Sequence, residues 1–295
     1  MKKVWMFLAG GSLALSLSAA ENIPVGVKVG KTHVYQPQKY AFAQAAAIRN
    51  SQNKYSFIIV QSKPAGEKPP RTQFRLSAGP FGFCSLVNFL KITVNGISYA
   101  NITPKIEDFV PWQEGDQAGC EAKFNFDGAK VILRFRMRQD SPVLWGSLRP
   151  APDTLEEIKS AQVDLTAIVS MLAKENKKVL WTKVYEREAV TPARTLVQRQ
   201  KSWELTPQDT YLVLQDKKFD GSSAEKGYGP VMILLDHGSI SNAKLFLRSN
   251  WTTTLSIALK PGFKNFEFGL WQQETRISNA GFAEKLKKEK AAFAR

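Results

Sequence analysis

Apolar and polar residues alternate with a period of two along most of this chain. The runs "KYSFIIVQS" (54–62), "RTQFRLSAG" (71–79), "FLKITVNGISYAN" (89–101) and "EAKFNFDGAKVILRFRMR" (121–138) carry the pattern most clearly. Successive side chains of a strand point to opposite faces, so this period predicts β-structure with one buried and one wetter face. Asn95-Gly96 and Asp127-Gly128 sit between alternating runs. Both dipeptides accept the positive dihedrals of a two-residue hairpin turn, and each predicts a hairpin. "KPAGEKPP" between the first two runs is a loop by its prolines and glycine. Further strand-like runs lie at 179–188, 195–206, 210–216, 227–238, 243–249, 251–260 and 263–271.

Two stretches read differently. In 155–175, Leu155, Ile158, Val163 and Leu165 share a helix face, while the Val, Thr and Ile content of 160–171 favours a strand. The run "NAGFAEKLKKEKAAFAR" (279–295) predicts a C-terminal helix. Strands joined by turns rather than helices point to a mostly β fold of antiparallel β-sandwich type. The pattern breaks at "GSLRPAPD" (146–153), which divides the chain into 21–150 and 151–295. Two sandwich halves or one elongated two-sheet body both fit, and no internal repeat of 20–50 residues is evident.

Residues 1–20 have another character. Lys2 and Lys3 precede an apolar run to residue 17, and Ser18-Ala19-Ala20 supplies small residues before Glu21. This is the pattern of a secretory signal peptide, so the chain is expected to be exported to a periplasm or beyond. The apolar run falls short of the ~20 residues that span a bilayer, which disfavours an uncleaved anchor. Cleavage after Ala20 leaves 275 residues with 39 basic and 26 acidic side chains, a net charge of +13. Such an excess attracts polyanions. Export sets nucleic acid aside and leaves acidic polysaccharide or another cell-surface component as the expected partner.

Cys84 and Cys120 are the two cysteines. An oxidising compartment favours a disulfide between them, which would close a loop of about 37 residues and add roughly 3–4 kcal/mol on chain-entropy grounds. Two buried free thiols are the alternative. With His33 and His237 as the only histidines, no metal-ligand spacing exists, and no pattern implies a cofactor.

The candidate chemistry centres on residues 129–138. Val131, Leu133, Phe135 and Met137 share one parity, and Lys130, Arg134, Arg136 and Arg138 share the other with Ile132. Alternate residues on a strand lie about 6.6–6.8 Å apart, a spacing that suits successive carboxylates or sulfates on an extended polymer. Arg134, Arg136 and Arg138 are therefore candidate ligand-binding residues; the plainer reading is a solvated sheet surface paired with neighbouring acids. Among six tryptophans after residue 20, Trp112 is the preferred binding candidate, because "DFVPWQEGDQAGC" reads as a polar loop. Glu107, Asp108, Glu114, Asp116 and Glu121 surround it, and a converging pair could serve glycoside cleavage. His237 beside Asp236, Tyr228 in "GYGP", and Asp216, Asp220 and Ser222 near Gly221 are weaker candidates, each also explained as a turn.

These features lead to a non-catalytic, exported protein that binds an acidic glycan through a basic strand face. The alternatives are a secreted glycan-degrading lyase or hydrolase, and a structural envelope protein. The first reading requires the guanidinium groups to be open to an outside partner rather than neutralised within the molecule.

Overall fold

The computed structural model describes residues 25–31, 40–50, 54–62, 72–78, 89–98, 109–167, 174–175, 178–179, 186–198, 202–216, 230–247, 252–272 and positions 284, 287 and 288. The strands in chain order are β1 (Val25–Lys31), β2 (Tyr40–Asn50), β3 (Lys54–Ser62), β4 (Thr72–Ala78), β5 (Leu90–Val94), β6 (Ile97–Ser98) and β7 (Phe109–Glu114). Then come β8 (Gln117–Phe126), β9 (Ala129–Arg138), β10 (Leu144–Pro150), β11 (Ala161–Ala167), β12 (Lys174–Glu175), β13 (Lys178–Val179) and β14 (Arg187–Val190). The last seven are β15 (Thr195–Val197), β16 (Trp203–Glu204), β17 (Tyr211–Asp216), β18 (Val231–Leu235), β19 (Ile240–Leu247), β20 (Thr253–Leu259) and β21 (Phe266–Gln272).

The fold is mostly β and its two large sheets are antiparallel. A nine-stranded sheet runs β15-β14-β17-β18-β21-β10-β9-β8-β7, and a six-stranded sheet runs β16-β19-β20-β11-β5-β6. β1 to β4 form a separate four-stranded meander, and β12 and β13 a two-stranded ribbon. Both large sheets take strands from each side of residue 150, and the break at 146–153 coincides with the end of β10 and the turn after it.

One continuous apolar core lies between the large sheets. Phe124, Phe126, Val131, Leu133 and Phe135 from the nine-stranded sheet meet Leu90, Ile92, Val163, Leu165, Leu255 and Ile257 from the six-stranded one. Phe89 and Phe135 have ring centroids 6.5 Å apart, and Phe135 meets Phe268 edge to face at 6.2 Å. The meander is tied to the same body. Tyr55, fully buried, donates its hydroxyl to the Pro142 carbonyl at 2.8 Å, and Asn50 donates to the Arg138 and Ser141 carbonyls.

Both predicted hairpins form. Asn95 and Gly96 have φ of 49° and 81°, and Asp127 and Gly128 have 55° and 93°, as two-residue turns with positive dihedrals require. The ambiguous stretch resolves into an irregular 155–160 followed by strand β11. Asn95 accounts for the first part: its amide oxygen accepts from the Lys159 and Ser160 N–H groups and its amide nitrogen donates to the Glu157 carbonyl. Those bonds hold the backbone extended beside the hairpin and away from a helical turn.

Three expectations need correction. "DFVPWQEGDQAGC" is not a loop: β7 and β8 pair through it, turning at Gly115-Asp116 with Gly115 at φ 54°. Pro111 lies on β7, an edge strand, where a missing N–H is tolerated. The expected disulfide is not formed. Cys120 is a free thiol, fully buried on the core side of β8, where it packs as a small hydrophobe and burial pushes its thiol pKa up; Cys84 lies outside the described residues. The C-terminal helix does not stand among the elements of the structure. Most of 279–295 lies outside the described residues; the three that are described there, Glu284, Lys287 and Lys288, have helical backbone. No described helix is long and apolar enough to cross a membrane.

Candidate functional site

Strand parity sends Val131, Leu133, Phe135 and Met137 into the core and turns Arg134, Arg136 and Arg138 to the opposite, outer face of the nine-stranded sheet. The ladder sets their neighbours. Val110, Glu121, Arg134, Ser147 and Glu267 form one cross-strand row from β7 to β21. The adjacent row holds Trp112, Gly119, Arg136, Trp145, Gly269, Leu234 and Tyr211. The outer face thus grades from charged on β8 and β9 to apolar beyond β10. Its apolar end is a second buried cluster of Val143, Trp145, Val190, Tyr211, Val213, Met232, Leu234 and Trp271.

The three arginines do not share one environment. Arg136 donates to Glu267 at 3.1 Å. Arg138 pairs with Asp140 at 3.2 Å and with Asp116 at 3.3 Å. In the neighbouring row Arg149 lies 3.7 Å from Glu121. All these side chains are partly exposed, so each pair contributes about 0–1 kcal/mol to stability, and their chief effect is to neutralise charge locally. The expected comb of three open guanidinium groups is therefore reduced, because cross-strand acids from β21 and from the β7–β8 and β9–β10 turns answer two of the three.

Arg134 is the exception. Its guanidinium carbon lies 3.9 Å from the centroid of the Trp112 ring, and it has no acidic partner among the described residues. The indole reaches this position across Gly119: a Cβ there would stand 2.6 Å from Trp112 Cζ2 and 1.9 Å from the Phe135 carbonyl oxygen. Glycine at 119 is thus needed for the indole to cross β8. The Arg134 Nε and Trp112 Nε1 donors are both buried and unsatisfied within the molecule. Buried donors without acceptors are costly, and a clustered pair on a partly open face is a feature that bound ligand oxygens would relieve.

The structure brings Trp112 and Arg134 together, places Arg136 in the same row as Trp112, and sets Arg138 beside the β7–β8 turn. Of the acids around Trp112, Asp116 faces Arg138 and Glu121 faces Arg149, and Glu107 and Asp108 lie outside the described residues. Glu121 and Glu267 share a row but stand three strand spacings apart, about 14 Å along the sheet. His237 lies in a 3-10 turn (His237–Ser239), its Nε2 3.1 Å from the Asp209 carbonyl, while Asp236 accepts from the Gly238 N–H. Tyr228, Asp220 and Ser222 lie outside the described residues, and no cluster of metal-ligating side chains exists among those described. Glu267, Ser147, Arg149 and Gly119 were not foreseen. The signal for Glu267 was a single acid between Phe266 and Phe268, at the parity that faces away from the core.

No known family matches the chain, and no curated protein matches it in sequence. Among solved structures it is similar to the α-N-acetylgalactosaminidase NagBb from Bifidobacterium bifidum, at 9% identity and TM-score 0.49, over 86% of this chain and 38% of that one. It is also similar to the GH36 α-galactosidase AgaB from Geobacillus stearothermophilus, at 10% identity and TM-score 0.39, over 84% of this chain and 41% of that one. A third is the galactosidase domain of the α-galactosidase-sucrose kinase AgaSK, at 9% identity and TM-score 0.42, over 82% and 42%. The chain spans about two fifths of the length of each. At such identities and scores the likeness assigns none of their activity to this chain.

Proposed function

We propose that the outer face of β7 to β10 and β21 is a carbohydrate-binding surface, centred on Arg134, of an exported and non-catalytic protein. The observation that carries this reading is the Arg134 guanidinium held on Trp112 without an internal acid, in the row Glu121–Arg134–Ser147–Glu267. A guanidinium fork is suited to a carboxylate or sulfate, while the Arg136–Glu267 and Arg149–Glu121 pairs offer donors and acceptors to sugar hydroxyls. Because Arg136 and Arg138 are already matched by acids, the surface reads one anionic group at its centre and neutral hydroxyls around it. Glu121 and Glu267, which flank Arg134 in its row, stand about 14 Å apart along the sheet, farther than a glycosidase carboxyl pair.

Titration of the protein with an oligouronate and with a neutral oligosaccharide, each at low and high salt, tests the proposal. The oligouronate is expected to bind more tightly, with a salt dependence of about one ion pair. Arg134→Met is expected to remove the preference for the anionic sugar. Equal, salt-insensitive affinity for both sugars, or none for either, refutes it. Production of new reducing ends during the titration would favour the hydrolytic alternative.

A further inference from the structure

Arg187 sits on β14, near the opposite edge of the nine-stranded sheet from β7. It shares parity with Ala189, which faces the core, whereas Val190 belongs to the outer apolar cluster. Its guanidinium therefore points inward, and the residue is 0% exposed. All three side-chain nitrogens, Nε, Nη1 and Nη2, lack a hydrogen-bond partner. Two polar neighbours are engaged elsewhere. Gln198 accepts the Arg187 backbone N–H through its Oε1, and Glu188, on the other face, accepts from Gln215 at 2.6 Å.

A guanidinium carries five N–H donors and stays charged, so burial without an acceptor is among the costliest arrangements a fold can hold. Burial lowers its pKa to about 10. The group is also placed where a small ligand can be admitted. Among the described residues, β14 is flanked toward the sheet edge by β15, a three-residue strand, and short edge elements open at low free-energy cost.

We propose that Arg187 is the anchor of a buried site for a small oxyanion, a carboxylate, phosphate or sulfate group, held by the guanidinium fork on the core side of β14. The site is independent of the glycan-binding reading: it lies five strands from Arg134 and on the other face of the sheet, so either can fail without the other. The internal rival is Asp216, which pairs with Arg187 across the β14–β17 ladder.

Thermal unfolding of the full chain, with inorganic phosphate, sulfate or glucuronate exchanged for chloride at constant ionic strength, provides the test. At least one oxyanion is expected to raise Tm saturably, by about 5–10 °C at a hundredfold excess over its Kd. The responding arm tells a sugar carboxylate from an inorganic anion. Arg187→Met is expected to abolish the response and, in chloride alone, to unfold no lower than wild type, since it replaces an unpaired buried charge by an apolar chain. If Arg187→Met does not fold, Arg187→Lys is expected to fold and weaken the response at least tenfold. No response to any oxyanion overturns the proposal, as does an equal response in wild type and either variant, which would mean surface binding. Equal, non-additive losses of Tm in Arg187→Met and Asp216→Asn, without oxyanion dependence, overturn it in favour of an internal ion pair.

Discussion

Replacing Gly119 by alanine places a methyl group 1.9 Å from the Phe135 carbonyl oxygen and 2.6 Å from the Trp112 ring. The first clash is with the backbone of the neighbouring strand and cannot be relieved by a rotamer. Either the β8–β9 ladder shifts or the indole leaves its seat, and overpacking of this kind costs about 1–3 kcal/mol. Expelling the indole also ends its contact with Arg134, which adds about 0.5–2 kcal/mol for a partly desolvated cation–π pair. The expected total is about 2–4 kcal/mol, or a fall in Tm of roughly 5–15 °C for a chain of this size. Urea and thermal unfolding, followed by far-ultraviolet circular dichroism and tryptophan fluorescence, measure it. The variant Trp112→Ala separates the two contributions. In Gly119→Ala/Trp112→Ala the indole part of the cost disappears and the Phe135 part remains, so the double variant is less destabilised than the sum by about 1 kcal/mol. A Gly119→Ala protein within 0.5 kcal/mol of wild type, with unchanged fluorescence, would refute the packing of Trp112 across β8.

Other outcomes follow from the same structure. The Cys120 thiol is buried and its pKa is raised by that burial, so it should resist a thiol reagent in the native protein and react once urea unfolds the chain; rapid native reaction would contradict its place in the core. Asp153 is held down to about 2 by hydrogen bonds from Lys123 and Lys130. Its folded-state pKa lies below the unfolded value, so its contribution is present above about pH 4 and is lost as pH falls through 2. A carboxyl titration by NMR should show this, and an unshifted midpoint would mean the pairs do not persist. Asp209 is buried. Burial raises its pKa, but bonds from Thr206, Thr191 and Arg194 outweigh burial and leave it lowered. Asp209→Ala, which removes a charged acceptor of several bonds, should cost about 2–4 kcal/mol in urea unfolding, and a loss under 0.5 kcal/mol would show that the network adds little.

The fold was legible where the pattern was local. The Asn95-Gly96 and Asp127-Gly128 hairpins follow from residues that tolerate positive φ, and the inward face of β9 from strict alternation. The joining of strands across residue 150 was not legible, because sheet order depends on pairings far apart in sequence, such as β10 with β21. The candidate site was half legible. Alternation placed Arg134, Arg136 and Arg138 on one face, but their charge state depends on Glu267, well over a hundred residues away, and on Asp116 across a turn hidden by the polar composition around Trp112. The disulfide expectation failed for a related reason: two cysteines in a sequence carry no information on where their side chains point. Trp112 lies against Arg134, although the reason for choosing it, a loop, did not hold.

On the proposed reading Arg134 is the guanidinium left open for a ligand, while Arg136 and Arg138 are held by internal acids. Arginine side-chain Nε–H spectra recorded during an oligouronate titration test it most directly. The Arg134 signal is expected to move saturably, the Arg138 signal, bonded to Asp140, to stay in place, and Arg134→Met to remove the response. A still Arg134 signal, or equal movement of all three arginines, would contradict it.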